Sequence, residues 1–124
     1  MTILVDSDIL IEVTRGKNLE ILMKWEELSE SSVPILYCPV TAAELWAGAR
    51  PSEYSVLAAL FGALRFVPVD YETGRKAGEY LRQYNKSHSL ELGEALIGAA
   101  ATLSGTELWT RNQKHYPMKD VRFY

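Results

Sequence analysis

Short apolar runs recur at residues 2–5, 35–38, 65–69 and 107–110, and stretches with helical periodicity separate each from the next. Runs of this kind, too short and too apolar to alternate, read as strands buried on both faces. No Asn-Gly or Asp-Gly turn joins two of them, so they pair in parallel through helical crossovers. Residues 121–123 supply a short fifth strand. Ser7 can cap a first helix that carries Ile9, Leu10 and Val13 inward and ends near Gly16. A second helix runs over 18–29, where Leu19, Leu22, Met23 and Trp25 recur at helical spacing, and Pro34 follows it. The sequence Thr41-Ala42-Ala43-Glu44 opens a helix to about residue 49, and an amphipathic one follows over 52–64. Asp70 is a natural N-cap for a helix over 73–86. Ser89 begins the most apolar helix, in which Leu92, Leu96, Ala99, Ala100 and Leu103 form a stripe up to Gly105, so that helix should be buried. The pattern predicts a three-layer α/β/α fold around a mostly parallel sheet of four to five strands.

With 124 residues, 48% of them hydrophobic, the chain can bury one core but not two, and residues 1–124 are read as a single domain. No apolar run approaches the roughly 20 residues needed to cross a bilayer. The opening Met1-Thr2-Ile3-Leu4-Val5-Asp6 has no basic leader, so a cytoplasmic location is expected. The single cysteine, Cys38, lies in an apolar run and is read as core; no disulfide framework or thiolate metal site is available. A net charge of −3 argues against coating nucleic acid through bulk electrostatics. It does not exclude an acidic nuclease, because bound cations reverse the local sign where phosphate approaches.

In an open parallel sheet the ligand crevice lies beyond the carboxyl ends of the strands. Asp6 follows the first strand, Thr41 and Glu44 the second, Asp70 the third, and Arg111 and Asn112 the fourth. Glu94, early in the apolar helix, is a carboxylate among apolar neighbours and needs a partner. Carboxylates gathered at one edge resist ionisation unless a cation holds them, and oxygen ligands of this type select Mg²⁺ or Mn²⁺. Each residue also has a plainer explanation. Asp6 could simply end a strand, Thr41-x-x-Glu44 is a capping box, and Asn112 is a common turn residue. Asp8 is read as supporting or surface, Asp70 as a cap, and His115 as structural.

Four segments, in this order, carry a family resemblance: Val5-Asp6-Ser7-Asp8-Ile9-Leu10-Ile11, Thr41-Ala42-Ala43-Glu44-Leu45, Gly93-Glu94-Ala95-Leu96-Ile97-Gly98-Ala99-Ala100, and Thr110-Arg111-Asn112-Gln113-Lys114-His115-Tyr116-Pro117. Together they resemble the PIN-domain VapC-type toxins over essentially the whole chain. The resemblance implies a metal-dependent endoribonuclease using Mg²⁺ or Mn²⁺, a cognate antitoxin protein and a homodimer. By position, Asp6, Glu44 and Glu94 would be the metal ligands, with Asn112 at the fourth site position. The family ordinarily has Asp where this chain has Glu94, one methylene longer. Hydrolysis would use water activated by the cation, with RNA phosphate met by Arg111 and Lys114. The large apolar residues Trp25, Trp46, Tyr54 and Leu57 suggest a dimer face.

Two further readings stay open. Asp6-Ser7-Asp8 after an apolar strand resembles the signature of aspartate-nucleophile phosphatases, although the chain is short for one and lacks a late acidic pair. A degenerate PIN module would bind a partner and cleave nothing.

Overall fold

A computed structural model describes all of residues 1–124. The elements run β1 (Ile3–Val5), α1 (Ser7–Arg15), α2 (Leu19–Glu30), β2 (Ile35–Tyr37), α3 (Pro39–Ala47), α4 (Tyr54–Ala63), β3 (Arg65–Phe66), α5 (Tyr71–His88), α6 (Leu92–Ser104), β4 (Glu107–Trp109) and β5 (Arg122–Phe123). Single 3₁₀ turns at Pro51–Glu53 and Gln113–His115 precede α4 and follow β4. All four strand pairings are parallel, in the order β3-β2-β1-β4-β5. The expected layered architecture is present.

Why β1 is central follows from its side chains: Ile3, Leu4 and Val5 are each 0% exposed, and only a strand covered on both faces buries all three. Leu4 joins one core with Ala95, Ala99 and Leu108 beneath α5 and α6. Ile3 and Val5 point the other way, into a second core with Ile9, Leu10, Leu28, Leu45 and Trp109 beneath α1 to α4. The period of two along the strand thus divides the helices into two layers. The small residues of α6 let it lie close to the sheet, and at Gly98 any side chain would overlap Met118. As expected, α6 is buried over most of its length, from Ala95 through Ala101 apart from Leu96. The ends of its stripe differ, with Leu92 and Leu103 exposed. Cys38 is fully buried, as its apolar run implied.

Several local expectations are corrected. Asp6, not Ser7, caps α1, its side chain accepting from the Ser7 N–H. Helix α3 starts at Pro39 with Cys38 at the cap position, because proline supplies a fixed φ and lacks only an N–H that would go unused. Thr41 therefore sits inside the first turn and forms no capping box with Glu44. Ser89 adopts a left-handed conformation (φ 51°) that ends α5, and α6 begins later, capped by Glu91. The strands at 65–69 and 121–123 shrink to two residues each, as suits sheet edges. Leu57 is core and so belongs to no free dimer face, while Trp25 is half-buried, its ring stacked on Trp109 with centroids 6.4 Å apart. Trp46 and Tyr54 do remain exposed, their rings 5.5 Å apart. No helix is long and apolar enough to cross a membrane.

The strand order reverses at β1: the chain steps outward through β2 and β3, then returns to place β4 on the other side of β1. The crossovers leave in opposite directions there, which opens a crevice beyond the carboxyl ends of β1 and β4.

Candidate active site

Asp6 stands at that opening. Its N–H donates to the Trp109 carbonyl at 2.9 Å, carrying the β1–β4 ladder one residue past the strand, after which the backbone turns into α1. The residue is 6% exposed. Oδ1 accepts from the Ser7 N–H at 2.8 Å, and Oδ2 accepts from the Thr110 hydroxyl at 2.9 Å and the Tyr116 phenol at 2.7 Å. Strand end, helix cap and site residue are therefore the same side chain. Burial, then the neighbouring Asp6 charge, drives the Tyr116 phenol far above its ordinary range, so it acts as a neutral donor.

Two residues later, Asp8 Oδ2 accepts from the Arg111 N–H at 2.9 Å and the Asn112 side-chain amide at 3.1 Å, and lies 3.2 Å from the Thr110 hydroxyl, whose one proton it shares with the nearer Asp6. Its other oxygen, Oδ1, is buried without a partner. Burial and then Asp6 push the Asp8 carboxyl above its usual range. Asp8 thus lies inside the cleft, and Asn112 is tied to it. The guanidinium of Arg111 reaches away to Glu12 at 3.0 Å, and the exposed Lys114 does not line the cleft.

The opposite wall comes from α3 and α6. Glu44 Oε2 lies 3.7 Å from the position a Cβ would take on Gly93, which sets it against the first turn of α6. Its carboxyl is raised by burial and by Asp6, then by Glu94 and Glu91, with the Ser7 hydroxyl opposing. Glu94 is the acid of the true capping box: Oε1 accepts from the Glu91 N–H at 3.0 Å. Its Oε2 lies 3.1 Å from His115 Nδ1, which places His115 in the lining of the cleft.

Asp6, Asp8, Glu44, Glu91, Glu94, Asn112, His115 and Tyr116 share one cleft of about 150 Å³. No lysine or arginine lines it, which removes the lysine that the phosphatase reading requires. A larger cavity of about 400 Å³, between Trp25, Leu28, Leu60 and Leu64, is apolar and holds no acid. As the side chains stand, no three acids or imidazoles close on a single point; Glu94 is folded back on its own helix start. The donors nonetheless suit a hard divalent cation. The acids of the cleft offer carboxylate oxygens, with His115 the one nitrogen donor on the rim; the Asp8 and Glu44 carboxyls are raised by burial and by the Asp6 charge, and the Asp8 Oδ1 atom is buried with nothing to bond.

Four members of this cleft were identifiable from the sequence: Asp6, Glu44, Glu94 and Asn112. Asp8, Glu91, His115 and Tyr116 were not assigned to it, nor was Thr110, whose hydroxyl meets Asp6 at 2.9 Å without lining the cleft, linked to the site. A signal existed for Asp8, two residues after Asp6 at the start of the same helix. Thr110 could have been found as the first residue after β4. Tyr116 gave none, because its bond to Asp6 spans 110 positions.

The family model for the PIN domain matches residues 3–122. The ribonuclease VapC10 of Mycobacterium tuberculosis is 35% identical over 117 residues, covering 94% of this chain and 86% of that protein. Among solved structures, VapBC2 from Rickettsia felis bound to a promoter DNA fragment superposes with a TM-score of 0.83 at 18% identity, over 100% of this chain and 98% of the other. A toxin–antitoxin complex from Klebsiella pneumoniae gives 0.71 at 23% identity, over 95% and 93%. Sheet order, an acid-lined crevice at the strand reversal, and a match spanning nearly every residue agree, and the chain belongs to the PIN-domain family.

Proposed function

We propose that this protein is a Mg²⁺- or Mn²⁺-dependent endoribonuclease and the toxin of a toxin–antitoxin pair. The observation that carries the reading is the cleft itself: acids from α1, α3, α6 and the end of β1 meet there with no lysine or arginine among them. Such a cluster stores repulsion that a divalent cation relieves. The relatives' names, ribonuclease and toxin–antitoxin complex, supply the substrate class and the partner.

Asp6, Glu44 and Glu94 would hold the cation, and Asp8 adds a fourth carboxylate. When bound, it supplies positive charge for the phosphate and acidifies the attacking water. The chain's own residues prepare the rest. Asp6 is fixed by three donors, and Asn112 and the Arg111 N–H fix Asp8. Glu94 must leave its cap to reach inward, and His115 sits beside it on the same rim. Arg111 and Lys114 lie outside the cleft, where they can meet the flanking phosphates of a bound strand. For Arg111 that requires exchange of the Glu12 pair for phosphate.

The purified chain should cut RNA with Mg²⁺ or Mn²⁺, stop in chelator and resume when the ion is restored. Cleavage indifferent to chelator would remove the metal from the mechanism. No cleavage under any ion would favour the degenerate module.

A further inference from the structure

We propose that Tyr116 is a positioning residue that makes Asp6 a one-oxygen ligand and so biases the site toward small octahedral cations over calcium. This rests on the reading of Asp6 as a metal ligand. An ionised carboxylate has about four lone-pair directions, two on each oxygen. On Asp6 Oδ2 both are taken, by Thr110 at 2.9 Å and Tyr116 at 2.7 Å. On Oδ1 the Ser7 N–H takes one at 2.8 Å, and the Ser7 hydroxyl at 3.4 Å is too long for more than a weak bond. One strong direction remains, on Oδ1.

The two donors to Oδ2 are not equivalent. The Thr110 hydroxyl has a single proton and two acid neighbours, Asp6 at 2.9 Å and Asp8 at 3.2 Å. It can turn from one to the other. Tyr116 has Asp6 as its only hydrogen-bond acceptor, and its ring is held against Phe123 at 6.5 Å, beside Gly98. The phenol is therefore the fixed constraint. Calcium accepts carboxylates in two-oxygen mode and takes six to eight ligands, whereas magnesium demands near-ideal octahedral geometry. A carboxylate limited to one oxygen suits the smaller ion and denies calcium a ligand.

Mn²⁺ binding to the full chain, followed by electron paramagnetic resonance with Ca²⁺ as competitor, tests this without reference to activity. The wild type should bind Mn²⁺ in a manner lost in Asp6→Asn, with Ca²⁺ a poor competitor. Tyr116→Phe, which keeps the ring, should narrow the Mn²⁺-to-Ca²⁺ affinity ratio by about tenfold, the scale on which groups that orient metal ligands act. Thr110→Val, which frees the same oxygen from the other side, should shift the ratio in the same direction. A ratio unchanged in Tyr116→Phe while Mn²⁺ still binds through Asp6 overturns the role of Tyr116, whatever Thr110→Val does. Absence of Asp6-dependent Mn²⁺ binding in the wild type overturns the metal reading, and this inference with it.

Discussion

Asp6 shows how much a single position can combine. As an N-cap it satisfies one free N–H of α1, and as an acceptor for Thr110 and Tyr116 it ties β1 to the segment after β4. Asp6→Asn should cut RNA cleavage by more than about a hundredfold, since even groups that only orient metal ligands are worth roughly 10- to 100-fold. Two effects on stability oppose each other. Relief of repulsion with Asp8 and Glu44 favours the variant, while loss of a charged acceptor for two buried hydroxyls disfavours it by about 1–3 kcal/mol. The hydrogen bonds are short and buried, so we expect a net loss of about 1 kcal/mol in chelator, measured by urea unfolding; a gain would mean that repulsion dominates. The site was legible where an acid followed a strand or opened a helix, because those positions face the crevice by geometry alone. It was illegible where contacts join distant segments, as with Tyr116. Local chemistry also misled: Thr41-x-x-Glu44 satisfies the capping-box pattern, but Pro39 starts the helix earlier, and the real box is Glu91 with Glu94.

Among the elements, α5 is fastened to the C-terminal segment by one polar knot. The Tyr80 phenol donates to Asp120 Oδ1 at 2.7 Å and lies 3.0 Å from the Thr102 hydroxyl, while Lys76 pairs with Asp120 at 2.9 Å. Partial burial pushes the Asp120 carboxyl up, but Tyr80 and Lys76 outweigh it and hold it below its ordinary 3.8. A depressed folded pKa contributes stability above the unfolded value and loses it as pH falls through the folded one. Tyr80→Phe should therefore cost about 1 kcal/mol at neutral pH, a modest figure because Asp120 is half-exposed and screened. The gap between the two proteins should shrink below about pH 4. Thermal melts from pH 3 to pH 7 would show it, and a gap that stays constant would leave Asp120 without a part. Element types were readable because strand and helix periods differ so plainly here. The boundaries were less so, since Ser89 ends one helix rather than beginning the next, and the edge strands owe their brevity to neighbours that no local pattern encodes.

For the whole molecule, the layered fold follows from one repeated rule, short buried strands joined by helices, and that rule was visible throughout the chain. Association was read less well. Of four large apolar residues assigned to a dimer face, Leu57 is core and Trp25 is half-buried against Trp109, whereas Trp46 on α3 and Tyr54 on α4 are exposed and touch each other. If that face pairs two copies, Trp46→Glu should convert a dimer to monomer in sedimentation and lower the melt at concentrations where the wild type is paired, because an aromatic anchor is lost and a charge would be buried. A wild-type monomer at high micromolar concentration would contradict it. The central claim is that the acids at the β1–β4 crevice hold the cation that cleavage needs. It is tested most directly by titrating Mn²⁺ into one preparation of the protein while following bound ion and RNA cleavage together. The account predicts that the two curves rise over the same concentrations and that Asp6→Asn abolishes both. Cleavage that saturates with no bound ion, or that persists in Asp6→Asn, would contradict it.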